Sequence, residues 1–190
     1  VVFTGSKQVG LRIHAGLSAR WIKPSLLELG GKNAAIVLRS ADLDAAAEGV
    51  MRSAFSLQNQ KCSATSRVYV QKEIMAPFLE RLMEKTRAIR MGDPSERDVF
   101  FGPVINERAV ERFEQAVARA RAEGTVILGG ERLRGGVFDR GHFVSPTIAR
   151  LPLDSALFQE ELFVPFLAVG EVADLDQAIR KIDRASRERF

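Results

Sequence analysis

Cys62 and Glu28 are the two residues whose type and setting point most directly to chemistry. A thiolate attacks electrophilic carbon, and a carboxylate can take a proton from water. Cys62 is the one cysteine in the chain. A lone cysteine is ordinarily a small buried hydrophobe. Its neighbours Gln60, Lys61, Ser63, Thr65 and Ser66 are polar, however, which does not suit a core strand. Lys61 and Arg67 add cations nearby in sequence, and a cation beside a thiol favours the reactive thiolate. Glu28 lies between Leu27 and Leu29 and is followed by Gly30 and Gly31. It reads either as a solvent-facing member of an edge strand or as a placed base. The glycines after it would let the backbone turn sharply or approach a ligand.

Two other stretches could hold a ligand. Glu160 and Glu161 stand before the apolar Leu162-Phe163-Val164-Pro165. They could end a helix or turn, or one could accept hydrogen bonds from both hydroxyls of a ribose. Thr4-Gly5-Ser6 falls between an apolar start and a helical pattern. Such a turn is either a plain strand-to-helix connection or a cradle for a phosphate, because the first helical N–H groups are free.

Composition narrows the classes. The chain has 190 residues, 46% hydrophobic and 27% charged, an ordinary globular balance. No apolar stretch is long enough to span a bilayer. Residues 1–6 lack the basic start and apolar run of a signal peptide, and the chain reads as beginning inside a larger protein. The net charge of +4 is spread along the chain, densest in residues 180–189, with no nucleic-acid-binding module around it. One cysteine excludes an internal disulfide and fits a reducing, cytoplasmic setting. The two histidines, His14 and His142, form no Cys/His cluster, so no metal site is expected.

These residues must be positioned by elements that the periodicity predicts. Residues 1–3 form a strand, residues 9–17 a helix, and residues 22–29 run extended. Residues 34–38 form a buried strand. Leu43, Ala46, Ala47, Val50, Ala54 and Leu57 then make an apolar stripe at helical spacing, with Ser40 as N-cap and an end near residues 58–60. Cys62 thus falls in the loop before a strand at 67–70. A helix over 74–89 follows, and a turn at Gly92-Asp93-Pro94. Asn106 caps a helix with Val110, Phe113, Val117 and Ala120 on one face, stopped by Gly124. Strands at 125–128 and 143–148, an extended run at 163–172, and a last helix capped by Asp174 complete the pattern. Strands alternating with helices predict an α/β fold with a largely parallel sheet.

Taken together, Phe3-Thr4-Gly5-Ser6, Glu28-Leu29-Gly30-Gly31-Lys32, Gln60-Lys61-Cys62-Ser63-Ala64 with Arg67, and Glu160-Glu161-Leu162-Phe163-Val164-Pro165 resemble the aldehyde dehydrogenase superfamily. The resemblance runs from Val1 to about Ile179. The segments Trp21-Ile22-Lys23 and Gln60 to Ala64 look most like the branch that oxidises glutamate γ-semialdehyde, formed from 1-pyrroline-5-carboxylate. It implies residues 1–27 as the last strand-helix piece of an NAD-binding domain and 28–190 as a truncated catalytic domain. It implies Cys62 as nucleophile, with its backbone N–H on the oxyanion, and Glu28 as the base that activates water. Gly5, Ser6 and Leu29 would lie at the NAD or NADP cofactor, Glu161 at the nicotinamide ribose, and Phe163 by the nicotinamide. Ser63 would anchor a substrate carboxylate. The partners implied are a small aldehyde and further copies of the whole protein.

The sequence also departs from that pattern. Asn59 stands where the family usually has Gly, Val164 replaces a common Gly, and Lys181 to Arg187 do not match. The family's oxyanion Asn and adenosine-ribose Lys would lie upstream of Val1, so these 190 residues alone are not expected to oxidise aldehydes at an appreciable rate. The alternative is a truncated, non-catalytic module acting in binding or assembly.

Overall fold

The computed structural model describes residues 1–187 apart from Arg20 and Ile22. These fall into two compact units, Val1–Gly31 and Lys32–Phe190.

The first unit is one strand-helix-strand turn. Strand β1 (Val2–Thr4) pairs in parallel with β2 (Leu26–Glu28), and helix α1 (Lys7–Ser18) connects them. Thr4 is in register with Glu28, and the Gly5 N–H donates to the Glu28 carbonyl at 3.0 Å. Gly10 lets Leu29 pack onto α1, since a Cβ there would lie 2.3 Å from the Leu29 side chain. Of the run expected to be extended over 22–29, only Leu26–Glu28 pairs as strand, and Ile22 is outside the described residues.

The second unit is built on a five-stranded sheet in the order β3-β4-β7-β6-β5. The strands are β3 (Asn33–Val37), β4 (Thr65–Gln71), β5 (Thr125–Leu128), β6 (Thr147–Arg150) and β7 (Phe166–Val172). All neighbours are parallel except the edge pair β5 and β6. The expected α/β class with a mostly parallel sheet is therefore what the chain adopts. Helices α2 (Leu43–Phe55), α3 (Met75–Arg87), α4 (Glu107–Glu123) and α5 (Leu175–Arg187) cover its two faces.

Alternation along the central strands divides the core into two layers, as side chains of period two require. Val68 and Val70 of β4, with Leu167 and Val169 of β7, pack with Val50, Ala54, Phe78 and Leu82 of α2 and α3. Tyr69 of β4 and Phe166 and Ala168 of β7 pack with Val110, Phe113, Val117 and Ala120 of α4 and Ala178 of α5. Strands covered on both faces are nearly all apolar, which is why they read as continuous hydrophobic runs. Burying a side chain such as Phe113 or Leu82 contributes about 1.5–3 kcal/mol each.

The caps carry the helix boundaries. Asn106 accepts from the Ala109 N–H at 3.0 Å, and Asp174 accepts from Gln177 N–H at 2.7 Å while Gln177 accepts from the Ala173 N–H, as expected for the last helix. Helix α2 is capped by Asp42 rather than Ser40, because the Asp42 carboxylate takes both the Asp44 and Ala45 N–H groups. It ends at Phe55, earlier than residues 58–60, because Ser56 leaves helical geometry and Leu57, Gln58 and Asn59 follow with positive φ. Leu57 is consequently exposed rather than part of the buried stripe.

Strand β6 begins at Thr147 instead of residue 143, since Pro146 has no N–H to donate to a ladder. Gly129, at φ +74, permits the close passage of the chain here, where a Cβ would lie 2.2 Å from the Pro146 carbonyl. Strand β7 begins at Phe166 rather than 163. Phe163 has φ +55, and the Phe166 N–H turns back to the Val164 carbonyl at 2.7 Å, so the run is kinked before pairing starts.

Candidate active site

In the first unit the candidate residues cluster at the carboxyl ends of two parallel strands. Gly5 and Ser6 follow β1 and lead into α1, while Glu28 closes β2 and Leu29 follows it. The Glu28 side chain is exposed, and its strand partner is Thr4. Ser6 precedes α1 with extended geometry and makes no side-chain cap bond, which leaves its hydroxyl available. The carboxyl end of a strand-helix-strand turn is where such folds ordinarily meet a dinucleotide.

In the second unit the candidate residues gather at the opposite kind of edge. Asn33 begins β3, Cys62 and Ser63 lie just before β4, and Phe163 lies just before β7. Since β3, β4 and β7 are adjacent and parallel, all three motifs emerge at the amino ends of neighbouring strands.

Cys62 and Ser63 are exposed, and Cys62 is the first corner residue of a turn closed by the Ala64 N–H on the Lys61 carbonyl at 3.0 Å. The Asn33 carboxamide donates to the Cys62 carbonyl at 2.7 Å and to the Ala64 carbonyl at 3.2 Å. Before the turn, buried Asn59 donates to the carbonyls of Ala54 at 2.7 Å and Thr65 at 2.8 Å. The Ser53 and Thr65 hydroxyls meet at 2.7 Å and close the same gap between α2 and β4. Gln60 reaches outward and accepts from the Ile105 N–H at 2.9 Å. Left-handed geometry at non-glycine residues costs of order 1 kcal/mol each, so the positive φ of Leu57, Gln58 and Asn59 needs these ties.

Arg67 takes a different part from the one its proximity in sequence suggests. Only 3% of its surface is exposed, and it faces the α4 side of the sheet beside Tyr69. Its guanidinium donates to the Lys32 carbonyl at 2.9 Å, the Tyr69 hydroxyl at 3.3 Å and the Phe158 carbonyl at 3.1 Å. One side chain thereby joins the end of the Gly30-Gly31-Lys32 segment, the strand after Cys62, and the chain leading to Glu161. Burial pushes the Tyr69 phenol upward in pKa, and the adjacent Arg67 partly opposes this.

Of the two carboxylates, Glu160 is exposed and pairs with Arg119 at 2.7 Å. Glu161 is half-buried, and Phe163 is 38% exposed on its left-handed backbone. The different surroundings separate Glu160, which ties down α4, from Glu161. Asn33 and Arg67 were not legible as supports of the loop. Asn33 directly precedes the apolar run 34–38 that reads as strand, and Arg67 reads as a charge near the thiol.

The exposed thiol thus lies on a turn at the amino ends of parallel strands, in a sheet covered by helices on both faces. The chain matches the aldehyde dehydrogenase family over residues 1–186, and it belongs to that family. The match continues past Ile179, beyond the segments on which the resemblance rested. It is 37% identical over 185 residues to 1-pyrroline-5-carboxylate dehydrogenase 1 of Halalkalibacterium halodurans, covering 94% of this chain and 35% of that protein. It is 39% identical over 181 residues to alpha-ketoglutaric semialdehyde dehydrogenase of Bacillus subtilis, covering 94% and 37%. A crystal structure of 1-pyrroline-5-carboxylate dehydrogenase from Thermus with bound NAD superposes with a TM-score of 0.87 at 36% identity, covering 95% of this chain and 35% of that one. The chain thus spans little more than a third of the length of these relatives.

Proposed function

We propose that this chain supplies the nucleophile and the water-activating base of a nicotinamide-dependent aldehyde dehydrogenase. The exposed Cys62 turn, braced by carboxamides on both sides, is the observation that carries the reading. The Cys62 sulfur adds to the aldehyde carbon, and the carbonyl oxygen becomes the oxyanion of a thiohemiacetal. Among the described residues the Cys62 N–H has no acceptor, which leaves it available to that oxygen. When bound, NAD or NADP would supply the hydride acceptor needed for this adduct to become a thioester on Cys62. Glu28 takes a proton from water, the hydroxide adds to the thioester carbon, and the C–S bond breaks to release a carboxylic acid and the Cys62 thiolate, with the proton left on Glu28.

The residues present fit such a cofactor. Gly5 and Ser6 form an open turn before α1, whose first N–H groups suit a diphosphate, with Leu29 close by on α1. Glu161 can accept from ribose hydroxyls, and Phe163 presents an exposed ring for the nicotinamide. On this reading residues 1–27 belong with the cofactor domain and residues from 28 onward with the catalytic one. The 190 residues by themselves are expected to form little NADH, because they span about a third of the relatives' length.

The substrate class is a short aldehyde bearing a carboxylate, with glutamate γ-semialdehyde the leading case. One relative is named for alpha-ketoglutaric semialdehyde and another for 1-pyrroline-5-carboxylate, both bearing a carboxylate, and the exposed Ser63 beside Cys62 can donate to a carboxylate. A reducing, cytoplasmic setting would keep the thiol available, and the whole enzyme would assemble as a homo-oligomer. The test is acid quenching of the full gene product after mixing with NAD and glutamate γ-semialdehyde, followed by peptide mass spectrometry. A glutamyl adduct on the Cys62 peptide, lost in Cys62→Ser, is expected. Turnover persisting in Cys62→Ser would overturn the reading.

A further inference from the structure

The stretch before the nucleophile is unusual because three consecutive residues with side chains, Leu57, Gln58 and Asn59, hold φ of 51°, 56° and 57°. Glycine adopts this geometry freely, whereas residues with side chains pay for it. Asparagine tolerates it better than most residues and brings a carboxamide. At 4% exposure, that carboxamide donates to Ala54 O at the end of α2 and to Thr65 O at the start of β4. Both ends of the loop carrying Cys62 are therefore tied to one side chain.

Within the loop, two successive peptide planes are fixed. A trans peptide is planar with its C=O and N–H pointing opposite ways. The Ala64 N–H holds the Lys61 carbonyl at 3.0 Å, and this sets the direction of the Cys62 N–H in the same plane. The Asn33 carboxamide holds the next carbonyl, that of Cys62, at 2.7 Å. We infer that Asn59 and Asn33 are positioning residues that fix the direction of the Cys62 backbone N–H relative to its thiol. This rests on the reading of Cys62 as the nucleophile. A carbonyl substrate needs both sulfur and N–H in place, whereas a substrate without a developing oxyanion needs the sulfur alone.

The difference gives the experiment, made on the 190-residue chain, in which the single cysteine makes the labelled site unambiguous. Two probes are compared by stopped flow and mass spectrometry at one pH. With p-nitrophenyl acetate the thiolate forms the C–S bond and p-nitrophenolate leaves. With iodoacetamide the C–S bond forms and iodide leaves, with no oxyanion. The ratio of acylation to alkylation rates is measured for the native chain, the urea-denatured chain, Asn59→Gly and Asn33→Ala. Glycine preserves the backbone at 59, and Asn33→Ser replaces Asn33→Ala if the latter lacks the native circular dichroism.

The native ratio is expected to exceed the denatured ratio by about tenfold or more, as one oriented donor allows. Each variant should lose most of that excess while its alkylation rate stays within about threefold of native. A lowered melting temperature with an unchanged ratio would show a merely structural role for the two asparagines and overturn the inference, leaving the nucleophile reading intact. A native ratio equal to the denatured one would overturn both.

Discussion

The Asn33 carboxamide and the Cys62 carbonyl are 2.7 Å apart, and through that bond the first residue of β3 holds the loop ahead of β4. The two residues are 29 apart in sequence, so the contact exists only because β3 and β4 pair in parallel with Asn33 opposite Thr65. A thiol on a turn held from the neighbouring strand can be exposed without being loose.

Iodoacetamide at neutral pH should label Cys62 in the native chain, because the thiol is exposed on a polar turn. Peptide mapping before and after denaturation reads the result. Labelling that appears only in denaturant would mark a structural cysteine.

Glu28→Gln in the full gene product should slow release of the acid far more than formation of the acyl-enzyme. The amide keeps the size of the side chain and cannot accept a proton from water, and a general base is worth roughly a hundred- to ten-thousand-fold. Rapid kinetics should show a burst of NADH approaching about one equivalent per site, then slow turnover, with the acyl adduct visible by mass spectrometry. Loss of the burst itself would assign Glu28 to activating the thiol.

Arg67→Lys should lower stability by about 1.5–3 kcal/mol, measured as a shift of the urea midpoint. The guanidinium serves Lys32 O, Tyr69 and Phe158 O at once from a buried position, and an ammonium has no comparable planar fork. An unchanged midpoint would show that these three segments hold together without it.

Acid should loosen the junction between α4 and the loop before β6. Hydrogen bonding from Arg132 holds the Glu107 carboxyl below the ordinary glutamate value of 4.5, with the charges of Arg132 and His142 adding to it. A carboxyl depressed in the folded state contributes stability above its unfolded pKa and loses it as pH falls through the folded value. The urea midpoint of the native sequence should therefore fall more steeply below about pH 4.5 than that of Glu107→Gln. Parallel curves for the two proteins would contradict the assignment.

Much of this was legible in the residues themselves. The stripe Val110, Phe113, Val117 and Ala120 with its Asn106 cap is a local pattern, and α4 follows it. Asp174 and Gln177 likewise announce α5. The polar flanks of Cys62 placed it in a loop before a strand, where it lies. The end of α2 was not legible, because Leu57 keeps helical spacing and nothing local shows that Asn59 is claimed by Ala54 and Thr65. The start of β7 was missed for a similar reason, since Phe163 is apolar like the strand yet turns left-handed before it.

By itself the sequence determined the elements, their order, most caps, and the motifs that mark Glu28, Cys62 and Glu161, because periodicity, capping and motif spacing are properties of neighbours along the chain. Only the tertiary structure decided that β7 inserts between β4 and β6. That insertion brings the chain around Phe163, some hundred residues downstream, to the same sheet end as the Cys62 turn. It also turned Arg67 from a charge near a thiol into a buried brace. Strand order is set by which apolar runs can be buried on both faces at once, a condition on the whole core that no local window contains.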